Sequence, residues 1–273
     1  MNQEERLDYL VEKFKEDSVQ YQNLVVGNTE EEKKIALRSL MNIRMPRHLD
    51  EKVLSVQDEF LTEDTTEKGV VSLDMIPTVR EQYQSNLAHA DRISIWQGDI
   101  TRLQMGAIVN AANSQMLGCF IPCHRCIDNA IHSAAGVQLR SECNSIMNQR
   151  RIRYGKNYEE PTGTATITHA YNLPCDYVIH TVGPIVGYRL TDALRNDLHN
   201  CYENVLKRAA EHGIKSVAFC CISTGEFHFP NDEAAKIAVD TVTTFLDKNP
   251  DAFDRIIFNV FKDTDKYLYE ALM

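Results

Sequence analysis

Apolar positions recur with two different periods along this chain, and the change of period near residue 90 divides it. Leu7, Leu10, Val11 and Phe14 fall at helical spacing, and Thr29 with Glu32 forms a capping box ahead of Ile35, Leu37, Leu40 and Met41. Pro46 is placed to end that second helix. The polar run Thr62-Glu-Asp-Thr-Thr-Glu-Lys-Gly69 breaks the period and predicts a loop. Residues 1–90 thus read as a helical extension without chemistry of its own.

From Arg92 onward, short apolar runs alternate with helical patterns. Ile93–Trp96, Ala107–Val109, Ala165–Thr168, Tyr177–Val182, Ser216–Ile222 and Arg255–Val260 predict strands. Leu194, Leu198, Val205, Leu206 and Ala209 predict a helix from Asp192 to His212, stopped by Gly213. Ile237, Ala238, Val242 and Phe245 predict another from Asn231 or Asp232. The fold class is α/β, with a mainly parallel or mixed sheet covered by helices, and residues 91–273 form the core domain. Ligands of such sheets bind at the carboxyl ends of the strands.

A chain of 273 residues that is 43% hydrophobic can bury a sizeable core. Its 29 Lys and Arg against 39 Asp and Glu, net −10, argue against a general grip on nucleic-acid phosphates, although backbone amides can still build a phosphate pocket. The N-terminus lacks a basic region followed by an apolar one, and no apolar run approaches membrane-spanning length. Eight cysteines, three of them clustered and the rest in apolar segments, fit reduced thiols and a metal better than a secreted disulfide framework. A cytoplasmic protein with no membrane partner is expected.

The clustered thiols lie in Cys119-Phe-Ile-Pro-Cys-His-Arg-Cys126. In extended chain, His124 and Cys126 share a side while Cys123 and Arg125 face away, and Cys119 can close a third corner across Pro122. Cys119, His124 and Cys126 then supply three zinc ligands and leave one position open, as in a catalytic site. Participation of Cys123 would instead close the site and make it structural. Pro122-Cys-His-Arg-Cys126 also matches half of a nucleoside deaminase zinc motif, but the chain has no H-x-E for the other half. Cys123-His-Arg-Cys126 as a cycling dithiol has no thioredoxin-like context.

Three strand exits carry further polar chemistry. Asp99 in Gly98-Asp-Ile-Thr101 can accept from an exocyclic amine or cap a turn. Asn110 and Asn113 can orient a sugar hydroxyl or serve as turn residues. Ser223-Thr-Gly-Glu-Phe-His-Phe-Pro230 brings small residues and aromatic rings between a strand and a helix, fit for an anion and a sugar face, or for a plain turn. It is not a P-loop. His169 and His180, in apolar strand patterns, read as satisfied core histidines.

Together, Gly98-Asp-Ile-Thr101, Ala107-Ile-Val-Asn-Ala-Ala-Asn113, Asp128-Asn-Ala-Ile-His132 with Gly136, and Ser223-Thr-Gly225 resemble the macrodomain family from about residue 90 onward. The resemblance implies a three-layer α/β/α fold with a mixed sheet. Where most hydrolytic macrodomains carry a glycine-rich stretch, this chain has Cys119 to Cys126. With the helical extension, that departure resembles the zinc-dependent macrodomains, microbial protein-ADP-ribosyl hydrolases associated with sirtuin-type ADP-ribosyltransferases and a lipoyl-carrier protein.

The resemblance implies that Asp99 contacts the adenine amine with support from the Ile100 amide, and that Asn113 holds the distal ribose. Ser223, Thr224, Gly225, Glu226 and Phe227 would wrap the diphosphate, and Cys126, Ile127 and Asp128 would border the ligand. His132 would pack under the loop. The implied reaction is zinc-dependent removal of mono-ADP-ribose from Asp or Glu side chains of a modified protein, with Cys119, His124, Cys126 and Asn113 as its catalytic groups and ADP-ribose as product. Zinc can polarise an oxygen or activate water at neutral pH. The rival readings are a non-catalytic ADP-ribose-binding module with a structural zinc, and a hydrolase of free ADP-ribose derivatives.

Overall fold

The computed structural model describes residues 1–273. Its helices are α1 Gln3–Glu16, α2 Glu30–Ile43, α3 Glu51–Glu67, α4 Val79–Tyr83, α5 Ile127–Ala135, α6 Val137–Tyr154, α7 Asp192–Glu211, α8 Asn231–Lys248 and α9 Asp263–Glu270. Its strands are β1 Val71–Ser72, β2 Ile93–Gln97, β3 Leu103–Gln104, β4 Ala107–Ala112, β5 Ala165–His169, β6 Tyr177–Val182, β7 Ser216–Phe219 and β8 Arg255–Val260. Packing groups these elements into two units that interleave along the chain: Met1–Gly69 with Met116–Tyr158 and Ala170–Leu173, and Val70–Gln115 with Glu159–His169 and Pro174–Met273.

The first unit is helical. Asn2 and Thr29 each form a reciprocal capping box, with Glu5 and Glu32 respectively, so both helices start where their exposed N–H groups find oxygen acceptors. Leu7, Leu10, Val11, Phe14, Leu37, Leu40 and Met41 share one core with Val53, Val56, Phe60 and Leu61 of α3 and Val137 of α6. Ile35 is instead 51% exposed. The loop expected over 62–69 is not there, because α3 continues through it to Glu67. Asp64 is on its buried face and pairs with Lys34 (3.0 Å) and Lys68 (2.5 Å), so tertiary ion pairing carries the helix through a polar stretch.

The second unit is built on a six-stranded mixed sheet of order β2-β8-β7-β4-β6-β5, with β1 and β3 pairing separately. Every neighbouring pair in the large sheet is parallel except β5 with β6. The carboxyl ends of β2, β8, β7, β4 and β6 therefore open at one edge, which gathers Gly98, Phe261, Cys220, Asn113 and Gly183. β4 extends to Ala112, beyond the three residues that its apolar run suggests, whereas β7 stops at Phe219 and leaves Cys220–Ile222 in the turn. The mixed α/β architecture expected from the alternation is the one observed.

The longer β4 corrects the reading of Asn110. It lies inside the strand, fully buried, with its amide Nδ2 donating to His180 Nδ1 (3.0 Å). His180 Nε2 then donates to Thr168 Oγ1 (3.0 Å), which fixes the neutral tautomer across β4, β6 and β5. His169 is not a core residue: it ends β5 on the exposed side, its ring 6.4 Å from that of Tyr177.

Burial pulls the His180 pKa down to about 3. A folded pKa below the unfolded value of about 6.5 means that His180 contributes stability fully above that pH, and loses it as pH falls from about 6.5 toward 3. His180→Gln keeps an acceptor for Asn110 and is expected to flatten the stability profile in that window. Urea unfolding midpoints measured every half pH unit test this, and an unchanged slope in the variant would refute it.

Candidate active site

In the sheet unit, Asp99 follows β2 and caps the short turn Ile100–Arg102, its Oδ1 accepting from the Thr101 amide (3.0 Å) and hydroxyl (2.7 Å). The capping role is therefore real, and it engages Oδ1 of the partly buried carboxylate. The loop is locked to the end of β8: the Gly98 amide donates to the Val260 carbonyl (3.1 Å) and Asn259 Nδ2 to the Gly98 carbonyl (3.0 Å). The next residue, Phe261, is 76% exposed, and Gln97 Nε2 donates to its carbonyl (3.3 Å). Phe261 and Asp99 thus follow the ends of two paired strands, an exposed aromatic ring and a carboxylate acceptor of the kinds that suit an aminated heteroaromatic ring. The only sequence signal of the ring is a Phe directly after an apolar strand, which reads as part of the core run.

Asn113 sits one residue beyond β4, and its Oδ1 accepts from the Gln115 amide (3.0 Å), an Asx turn that sends the chain out of the sheet. The loop after β7 is more unusual. Ser223 has φ +65, in the left-handed region that non-glycine residues rarely enter, and its side chain is buried. Its hydroxyl has no hydrogen-bond partner within the chain. A Cβ on Gly183, at the end of β6, would lie 2.1 Å from that hydroxyl, so only glycine leaves it room.

The Phe229 amide closes the loop onto the Ser223 carbonyl (2.9 Å), and the Val186 amide donates to the Phe227 carbonyl (2.9 Å). Gly225 and Glu226 are exposed, while Thr224 and Phe227 are partly covered. Strained backbone and an orphaned buried hydroxyl cost stability, and such features gather where a ligand compensates them. A loop of this form, at the carboxyl edge of a parallel sheet and just before the N-terminus of α8, suits an anion.

In the helical unit, Cys126 is the N-cap of α5 and its Sγ accepts from the Asn129 amide (3.4 Å). One ligand atom each from Cys119, His124 and Cys126 come together within 4.8 Å of one another, all partly buried. Two sulfurs and an imidazole nitrogen at that separation form a donor set that fits zinc. Cys123 takes no part in that group: φ +50 turns it away, its Sγ lies 3.2 Å from Ser39 Oγ, and it donates to the Ile35 carbonyl. Burial pushes the Cys126 thiol up to about 12, so its thiolate needs a neighbouring cation.

Ile127 and Asp128 follow in the first turn of α5; the Asp128 carboxylate is buried 3.5 Å from His132 Nε2. The His132 ring packs against Gly118 so closely that a Cβ there would lie 2.8 Å from it. Sequence patterns missed the groups that hold this loop. Arg140 of α6 donates to the carbonyls of Leu117 (2.6 Å) and Cys119 (3.4 Å), with the Phe120 ring 4.2 Å from its guanidinium. Arg38, Asn42 and Asn129 hold it from the other side, although on α2 and α5 they read as ordinary polar positions.

Known proteins resemble this chain over most of its length. The chain matches the Macro domain family over residues 109–238. It is 47% identical over its full length to the whole of a protein from Treponema medium named protein-ADP-ribose hydrolase. A protein of the same name from Staphylococcus aureus (strain MSSA476) is 42% identical, over 97% of this chain and 94% of that protein. Among solved structures, the Trypanosoma brucei macrodomain in complex with ADP-ribose superposes with a TM-score of 0.64 at 27% identity, covering 91% of this chain and 98% of that one.

Proposed function

The chain belongs to the macrodomain family, and from that premise we propose that it is a protein-ADP-ribose hydrolase, a zinc-dependent one that releases mono-ADP-ribose from acidic side chains. The observation that carries the catalytic reading is the convergence of Cys119, His124 and Cys126 donor atoms within 4.8 Å, with Cys123 engaged elsewhere. Three protein ligands leave a fourth tetrahedral position for a reacting oxygen, whereas a purely structural site is closed.

The chain's own residues divide the remaining work. Asp99 accepts from the adenine amine while the Phe261 ring covers the base. The Ser223 hydroxyl and the amides of the Ser223–Phe227 loop take the diphosphate. Asn113 orients the distal ribose, and only Ser114 to Gly118 separate it from Cys119, so one stretch of chain supplies both sugar and metal contacts. Zinc held by Cys119, His124 and Cys126 would supply a Lewis acid at the ribose, polarising oxygen where charge develops. The substrate partner is a mono-ADP-ribosylated protein, with a lipoyl-carrier protein the first to test, in the reduced environment of the cytoplasm.

The test is turnover of one carrier protein ADP-ribosylated through Asp or Glu, through Ser, or through Arg, with zinc measured on the same enzyme sample. Release from the acidic linkage is expected at least about tenfold faster than from the others, a difference of roughly 1.4 kcal/mol in barrier. Equal rates would remove the linkage preference. ADP-ribose binding with no release, with or without metal, would convert the reading to a binding module.

A further inference from the structure

The helices preceding the sheet unit are more than an appendage, because α2 reaches into the thiol loop. Arg38 of α2 donates to Asn129 Oδ1 through Nη2 (2.7 Å) and Nε (3.2 Å), and Nη2 also reaches the His124 carbonyl (3.4 Å). Asn129 is fully buried. With Oδ1 committed to the guanidinium, its Nδ2 is aimed at the Ile121 carbonyl (3.0 Å), and its backbone N–H meets Cys126 Sγ (3.4 Å). Arg38 thus touches one donor residue directly and fixes the residue that touches another. Asn42, one turn further along α2, accepts the Cys123 amide (2.9 Å) and donates to Ser133 Oγ (2.9 Å), pinning the same loop between α2 and α5.

We propose that Arg38 is a positioning residue for the Cys119, His124 and Cys126 metal site, acting through Asn129. This rests on the zinc reading above. A loop of eight residues carrying three donors must be held at metal-binding separation before the ion arrives, or the ordering cost subtracts from affinity. The planar guanidinium makes a forked contact with one amide oxygen and one carbonyl, a geometry that a lysine ammonium cannot reproduce. An N–H donated to a ligating sulfur is the kind of outer contact whose loss weakens metal binding ten- to a hundredfold.

The experiment is zinc affinity and zinc release to a chromophoric chelator, with the absorption spectrum of the cobalt-substituted full chain. Arg38→Ala and Asn129→Ala are expected to lower zinc affinity about ten- to a hundredfold and to shift the sulfur-to-cobalt bands. The double variant should lose less than the two single losses combined, since both variants break the Arg38–Asn129 contact while only the Arg38 variant also loses the contact to the His124 carbonyl. Arg38→Lys, which keeps the charge and suits a chain intolerant of alanine, should recover only part of the affinity. Lys34→Ala breaks the α2 ion pairs with Glu30 and Asp64 away from the loop and should leave the spectrum unchanged, separating positioning from general loosening. Wild-type affinity and spectrum in the Arg38 variants would overturn the proposal while leaving the zinc reading intact. A wild-type chain that binds neither zinc nor cobalt would overturn both.

Discussion

Replacing Cys119, His124 or Cys126 by Ala is expected to slow release of ADP-ribose from modified protein roughly a thousandfold, about 4 kcal/mol in barrier, while leaving affinity for free ADP-ribose within about tenfold. The asymmetry follows from where the groups sit. On the proposed reading, adenine and diphosphate would be held by Asp99 and the strained Ser223 loop of the sheet unit, whereas the three candidate donors lie between Gly118 and α5 in the helical unit. If the proposed zinc is bound there, loss of one donor would remove the Lewis acid but not the binding surface.

Cys123→Ala is the matched control. Its thiol contacts Ser39 and the Ile35 carbonyl instead of the donor group, so near-normal turnover is expected. The measurement is single-turnover release with zinc quantified in every variant. A zinc-free variant with full activity would sink the metal mechanism. Loss of activity in Cys123→Ala equal to that in the others would point to a closed four-ligand site.

How far this could be read from sequence depends on whether the deciding contact is local. The capping box of α2 involves residues three apart, and the strand β6 coincides with its apolar run, so period and cap predict them well. Cys119, His124 and Cys126 do converge, but through a turn in which the His124 amide donates to the Ile121 carbonyl and Cys123 sits at φ +50, not through the extended alternation expected from the sequence. The polar end of α3 was not legible. Its helix is held by Lys34, thirty residues before Asp64, and no local pattern announces that pairing. Asn110 was misread because the strand runs three residues past its apolar part, and the buried partner that tolerates an Asn there is His180, seventy positions away. Arg38, Asn129 and Arg140 escaped notice because charged and amide residues on a helix read as solvated faces until the fold shows what they touch.

Arg140→Met is expected to destabilise the chain by about 3–5 kcal/mol, more than any surface ion pair here. Arg140 is 5% exposed, and burial lowers its pKa to about 10, opposed chiefly by Asp128, so it stays charged at neutral pH. Its Nη1 donates to the carbonyls of Met41 (3.1 Å), Asn42 (2.7 Å) and Arg44 (2.7 Å). These lie at the end of α2, where the helix leaves carbonyls without intrahelical partners and its own last turn has no basic residue. Nε and Nη2 serve Leu117 and Cys119 at the other side.

One buried cation therefore closes a helix terminus and anchors the first residue of the proposed metal group, and methionine of similar length satisfies neither. Arg140→Lys can still place an ammonium near the α2 carbonyls but cannot span to the loop, so it should recover part of the stability and little of the zinc affinity. Urea unfolding at constant m-value, followed on the same samples by zinc titration, separates the two effects. A lysine variant that regains both together would show that charge alone, and not the fork, holds the loop.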